Sequence, residues 1–245
     1  METHTLARVS APARPHLPSW AAYLGAAALA LGAGWSTLAV KGVTVSAAPR
    51  FRPGVPQDHS MRIYYRWLAS TLVQERLYTV LVIVGFAGLA AVAALARQVL
   101  GRDRLFSTAG AVAIVAGAAI WVTGGLVELG GHRAVGLLAT HINPIQVTNS
   151  IAFTVNTISD TFYLAAFTFI AAGMAAFAWL AALQGRRAWA GLTLLAGLVS
   201  AVTAWSFAAG NGDLTDLMLL IAGVIVAPGW MAWTGRLVTA EARPA

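Results

Sequence analysis

Apolar residues in this chain come in long unbroken runs, without the three-and-four spacing that would mark a helix with one buried face. Six uncharged stretches, 20–40, 77–96, 105–127, 161–185, 188–212 and 217–235, are each bracketed by charge. About 20 helical residues, at ~1.5 Å rise each, cross a hydrocarbon core ~30 Å thick, and a helix satisfies its own backbone there. The pattern predicts an all-α fold: a polytopic transmembrane helix bundle of six spans that uses the whole chain, 1–245, as one membrane domain. The first run follows a mixed, proline-containing stretch and is too long for a signal-peptide core, so it is read as a retained span.

Composition agrees. The 245 residues are 58% hydrophobic and only 10% charged, against roughly a quarter charged in soluble domains. With no cysteine, disulfide scaffolding, thiolate metal ligation and dithiol redox chemistry are excluded.

The net charge of +7 is a matter of placement. On the side of the N-terminus, Arg8, Arg14, Arg97, Arg102, Arg104, Arg186, Arg187, Arg236 and Arg243 outnumber Glu2, Asp103 and Glu241. On the other side Lys41, Arg50, Arg52, Arg62, Arg66, Arg76 and Arg133 nearly balance Asp58, Glu75, Glu128, Asp160, Asp213 and Asp216. The positive-inside rule then puts both termini in the cytoplasm, and the basicity reflects topology instead of nucleic-acid binding. Arginine as fifteen of the sixteen basic residues, with abundant alanine, points to a GC-rich bacterial genome and so to a bacterial inner (plasma) membrane. The first outer loop, with six of those basic residues, would by itself invert the orientation; its acids and the poverty of every other outer connection outweigh it. Trp20, Trp179, Trp189, Trp230 and Trp233 fall at the predicted inner boundary and Trp35, Trp67 and Trp205 at the outer one, depths that indoles favour.

Two helices are expected to be overlong. A helical stripe through Met61, Leu68 and Leu72 extends span 2 outward, and Asn143-Pro144 reads as a cap and first turn that starts span 4 early. Residues 41–75 and 131–158 are therefore predicted to form a small helical extracytoplasmic cap. A re-entrant segment or a seventh span over 134–158 is the competing reading, disfavoured by its histidine, asparagine and glutamine side chains. Small residues such as Ala113 with Gly117, and Gly197 with Ala201, are spaced for close helix packing.

Candidate chemistry lies on the outer side. Gln146, Asn149, Phe153, Asn156 and Asp160 recur at three- and four-residue spacing, so they share a helix face. Such a face suits the wall of a ligand cavity opening outward, or interhelical hydrogen bonds within the cap. Glu128, His132 and His141 are candidate metal ligands, the first two four residues apart, although Gly130 and Gly131 are expected to end the helix between them. Asp213 and Asp216 suit the N-terminus of span 6, and Pro228 should kink that span. No span carries a charge at its middle, which argues against proton relays, voltage sensing and most ion-coupled transport. No nucleotide-binding, serine-hydrolase or zinc-protease motif occurs.

The segment Gly185-Arg186-Arg187-Ala188-Trp189-Ala190-Gly191, the run Pro228-Gly229-Trp230-Met231-Ala232-Trp233 and the entry Arg102-Asp103-Arg104 resemble small six-span bacterial integral membrane proteins grouped only as a domain of unknown function. The likeness covers about the last two thirds of the chain. It implies a six-helix bacterial inner-membrane protein and carries no functional residues.

Three function classes follow, in order. The first is a non-catalytic accessory or scaffold component of a membrane assembly, whose partners are the lipid bilayer and other membrane proteins or further copies of the chain. The second is a binder or transporter of an uncharged or amphipathic small molecule entering from the outer side. The third is a membrane enzyme subunit carrying a metal or cofactor, of which the sequence names none.

Overall fold

A backbone in hydrocarbon must close its hydrogen bonds within each segment, and every regular element of this protein is helical among the described residues. The computed structural model describes residues 20–35, 72–101, 105–140 and 145–241. They form α1 (Trp20–Gly34), α2 (Leu72–Leu100), α3 (Leu105–Thr140), α4 (Ile145–Leu183) and α5 (Arg187–Ala208). The last helix, α6, runs as Gly212–Leu220, passes through a π-helical turn at Ile221–Val226 and continues as Ala227–Glu241. The five helices from α2 to α6 are long and apolar enough to cross a membrane, and α1 is a shorter apolar helix of 15 residues. The chain is a membrane protein, and its bundle is all-α.

Each helix packs against the next in sequence, and α6 returns to pack on α1 and α2. The result is a closed antiparallel ring. One end carries the start of α1 and the end of α6; the other carries the α3–α4 hairpin and the α5–α6 turn. We call these the terminal end and the hairpin end.

The tightest seam joins α3 to α4. Gly110, Gly117, Gly124 and Gly131 follow one another at seven-residue intervals and are all buried. A Cβ built at Gly110 would lie 2.9 Å from the Phe177 ring, at Gly117 2.7 Å from the Ala166 carbonyl oxygen and at Gly124 2.8 Å from the Phe162 Cβ; at Gly131 it would run into Val155. A strict seven-residue repeat keeps one stripe of a helix against a partner along its whole length. Here the stripe has no side chains, so the two backbones meet and dispersion contacts replace the hydrophobic effect, which is weak between helices in lipid. The α1–α2 pair uses the same device, with a Cβ at Gly25 falling 2.6 Å from the Gly88 Cα.

That seam explains where sequence and structure part. Gly130 and Gly131 do not end α3; the helix continues through them to Thr140, because Gly131 is needed as a contact and not as a turn. At 36 and 39 residues, α3 and α4 span ~54 and ~58 Å, far more than a bilayer core. Their excess length forms the projecting hairpin, so residues 134–140 and 145–158 are two arms of one hairpin and not a seventh span. Span 4 is overlong as expected, and span 3 is overlong against expectation. The extension predicted for span 2, together with residues 41–71 of the cap, lies outside the described residues.

On the hairpin's exposed face the hydroxyls of Ser150, Thr154, Thr157 and Thr161 each donate to the carbonyl four residues earlier, at 2.8–2.9 Å. Satisfied in this way, they add no unpaired donor to an apolar surface.

The terminal end is plugged. Trp189, Trp230, Phe177, Leu95 and Met231 are all fully or almost fully buried there. The Trp189 indole N–H donates to Thr234 Oγ1 at 3.1 Å, and the Trp230 indole N–H donates to Thr193 Oγ1 at 2.9 Å. The clasp is reciprocal because both helices present tryptophan and threonine four residues apart. Trp189 and Trp230 are thus core residues at 2% and 0% exposure, not members of an interfacial belt, whereas Trp20, Trp179 and Trp233 are exposed as that belt requires. A double-mutant cycle with Trp230→Phe and Thr193→Val should return a coupling of about 0.6–1.7 kcal/mol, the range of hydrogen bonds between membrane helices. Thermal unfolding in detergent reads it; a coupling of zero would mean the clasp is packing alone.

Pro228 disturbs α6 as expected, and the form of the disturbance is the π turn directly before it. Proline has no N–H for the carbonyl four residues back and its ring crowds that carbonyl, and a widened turn relieves both.

Candidate functional site

Inside the ring are two adjoining cavities. The first, at the hairpin end, has a volume of about 380 Å³ and mixed polarity. Its wall takes Tyr78 and Thr79 from α2, Trp121, Glu128 and His132 from α3, Asp160 and Tyr163 from α4, Phe207 from α5, and Thr215 and Asp216 from α6. The second, of about 110 Å³, lies deeper and is almost wholly apolar, bounded by residues such as Leu29, Phe86, Ile170, Met174, Val199 and Val226. Tyr78, Trp121 and Leu219 belong to both walls, so the vestibule and the chamber adjoin at these side chains. Beyond the chamber stands the tryptophan plug.

Local sequence explains how the wall is built. The α5–α6 turn is held by Gly210 at φ +64°, a left-handed conformation that glycine adopts without strain, with the Asn211 N–H donating to the Ser206 carbonyl at 3.1 Å. Asn211 then caps α6, its Oδ1 accepting from the Leu214 N–H at 3.1 Å. The cap is therefore an asparagine, not one of the aspartates, and Asp216 is turned to the vestibule instead. The Thr215 hydroxyl meets Ser206 Oγ at 2.9 Å, tying α6 to α5 below the turn.

Glu128 is the organised carboxylate. Its Oε2 accepts a 2.5 Å hydrogen bond from the Tyr163 hydroxyl across the α3–α4 seam, and its Oε1 lies 3.8 Å from His132 Nε2 one turn away. Because α3 stays helical through Gly130 and Gly131, Glu128 and His132 share a face, as four-residue spacing demands. Around them an aromatic arc crosses four helices: Phe86 stacks on Trp121 with centroids 4.3 Å apart, Trp121 meets Tyr163 at 5.5 Å, and Tyr163 meets Phe207 at 5.5 Å.

Of the polar stripe, only Asp160 reaches the cavity. Gln146, Phe153 and Asn156 are exposed, Phe153 at 74%, and Asn149 is half-buried. The reason is phase. The buried face of this arm runs through Thr148, Ser159 and Tyr163, and the stripe sits one residue, or about 100°, around the helix from it. Of the candidate metal ligands, Glu128 and His132 come together at 3.8 Å and His141 lies outside the described residues; among the described residues there is no group of three or more histidine, aspartate or glutamate side chains that could hold a metal ion.

Sequence reasoning missed Tyr78, Trp121, Tyr163 and Phe207. Trp121 had no distinguishing signal in its position, lying no deeper in its predicted span than Trp179 or Trp205 in theirs. No family model, no curated protein and no solved structure matches the chain.

Proposed function

We propose that this chain is a ligand-binding membrane protein whose ring forms a cup, open at the hairpin end, for a small amphipathic molecule. The observation that carries the reading is the order of environments down the ring: a polar vestibule, an adjoining apolar chamber and a closed plug. An amphiphile matches that order end to end, its polar group held among side chains that can hydrogen-bond and its tail removed from water. The plug favours capture from one side over a through-pathway. An accessory or scaffold role ranks second, because the cavity gives ligand binding an observation of its own.

Native mass spectrometry of the protein released from gentle detergent should show a single retained amphiphile per chain. A chain without adduct that also takes up no tritiated dodecyl-β-maltoside saturably in nanodiscs would overturn the cup.

The arginine asymmetry supports a topology with both termini cytoplasmic, so the cup opens to the extracytoplasmic side. Absence of native cysteine makes the test clean. A single cysteine at Asp213, exposed at the hairpin end, should react with a membrane-impermeant maleimide on intact cells, and one at Arg187, exposed at the terminal end, should react only after lysis. The reverse pattern would turn the cup toward the cytoplasm.

A further inference from the structure

Resting on the cup proposed above, the charge and the walls of its mouth narrow the class of ligand. Among the described residues the vestibule wall holds three carboxylates, Glu128, Asp160 and Asp216, drawn from three different helices, with His132 as its single basic side chain and no arginine or lysine. Asp160 lies within electrostatic reach of Glu128, so their fields add. A cleft lined by one sign of charge between low-dielectric walls concentrates ions of the opposite sign. Among the described wall residues an anionic headgroup would meet three carboxylates and no arginine or lysine.

The walls then separate one kind of cation from another. A small inorganic cation needs several oxygen or nitrogen ligands converging on a point, and the described residues offer no such group of three. An organic ammonium ion is larger, softly hydrated, and attracted to the faces of aromatic rings as well as to carboxylates. Trp121 and Tyr78 stand where the vestibule meets the chamber, and Trp121 is continued by Tyr163 and Phe207 through ring contacts at 5.5 Å. The Tyr163 hydroxyl bond fixes the Glu128 carboxylate beside that arc. Beyond Trp121 the wall is apolar. Carboxylates, aromatic rings and an apolar pocket thus follow one another in the order of an ammonium head and its hydrocarbon tail.

We propose that the cup binds an organic ammonium ion bearing an apolar tail, the head lodged between the acidic side chains and the aromatic arc and the tail in the inner chamber. Glu128, positioned by Tyr163 and His132, and Asp160, open to the vestibule, are the charge partners. Trp121 divides head from tail.

Scintillation proximity binding to the full chain in zwitterionic nanodiscs, with empty discs subtracted, tests this. Tritiated dodecyltrimethylammonium and tritiated dodecyl-β-maltoside are each titrated below micelle formation, and dodecyl sulfate is added as competitor. The ammonium amphiphile should bind about tenfold or more tightly than the maltoside, with an affinity that falls as salt rises, and the sulfate should compete weakly. Asp160→Asn should narrow the ammonium-to-maltoside ratio roughly tenfold; because Asp160 is exposed, a melting curve close to that of the parent is expected alongside. Trp121→Leu should weaken the ammonium more than the maltoside. Equal binding of the two dodecyl compounds, or preference for the sulfate, would leave the cup standing and overturn the ammonium assignment. Saturable binding of none of the three would overturn both.

Discussion

Gly117→Leu should abolish the folded protein. Any side chain at Gly117 starts with a Cβ 2.7 Å from the Ala166 carbonyl oxygen and 2.7 Å from Ile170 Cγ1. The carbonyl belongs to a helix backbone and cannot rotate away, so α3 and α4 must separate. Separation at one point is transmitted along the seam, because Gly110 and Gly124 make the same close approach one heptad to either side. Overpacking of a well-filled core costs about 1–3 kcal/mol even where side chains can adjust; against fixed backbone the loss should exceed that and approach the ~5–15 kcal/mol on which a folded domain rests. Gly130→Ala is the internal control. It lies on the same helix one residue from the seam, is exposed, and has nothing within 4 Å of the added methyl. Alanine in a helix interior is favoured over glycine by about 0.5–1 kcal/mol, so this variant should melt slightly above the parent. Monodispersity by fluorescence-detected size exclusion, followed by melting curves, reads both. A monodisperse Gly117→Leu with a parental melting temperature would remove the seam as the organising contact.

The contrast between those two glycines shows where sequence reasoning succeeds and fails here. Five of the six predicted spans lie within or largely coincide with long helices because the cost of unpaired backbone in hydrocarbon leaves no other solution, and that constraint acts on each segment alone. Whether a glycine is a terminator or a contact depends on the neighbouring helix. Gly130-Gly131 looks like a helix end when read locally, and only Val155 across the seam reveals why the second glycine is there. The repeat at 110, 117, 124 and 131 was nonetheless legible as a period of seven, a stronger signal than the pair Ala113 and Gly117.

The candidate site was legible as a region and not as a constellation. Glu128, His132 and Asp160 drew notice because charged or titratable groups near hydrocarbon are costly. Rotation separates the rest of the polar stripe from Asp160: α4 turns Thr148 and Ser159 inward and leaves Phe153 and Asn156 exposed, while His141 of the metal reading lies outside the described residues. Periodicity identifies which residues share a face and is silent on which neighbour that face meets. The aromatic arc was less visible still, since Phe86, Trp121, Tyr163 and Phe207 come from four helices and converge only once the ring closes. Each, taken singly, is an ordinary membrane-helix aromatic.

Filling the inner chamber should separate binding from folding. Val199 lines it from α5 and is half-buried, whereas Val202, three residues on, is exposed at 40% on the same helix. Val199→Phe puts four more carbon atoms into a space of about 110 Å³, most of which an alkyl tail would need. Binding of a dodecyl amphiphile should then fall by about a hundredfold, since each CH₂ kept from burial forfeits ~0.8 kcal/mol and about 2.7 kcal/mol is a factor of one hundred. Val202→Phe makes the same chemical change facing lipid and should alter neither affinity nor melting temperature appreciably. Because the added ring enters a void and not a filled core, the melting temperature of Val199→Phe should stay near the parent's or rise, as cavity-filling substitutions commonly stabilise. Shortening the probe provides a second axis: if the tail occupies the chamber, whose volume of about 110 Å³ takes only the first few carbons of a chain, Val199→Phe should reduce the affinity of a dodecyl compound much more than that of a compound with the same head and a methyl group in place of the chain. Equal losses for both chain lengths would place the tail elsewhere, and an intact Val199→Phe with parental dodecyl affinity would show that the chamber holds no part of the ligand.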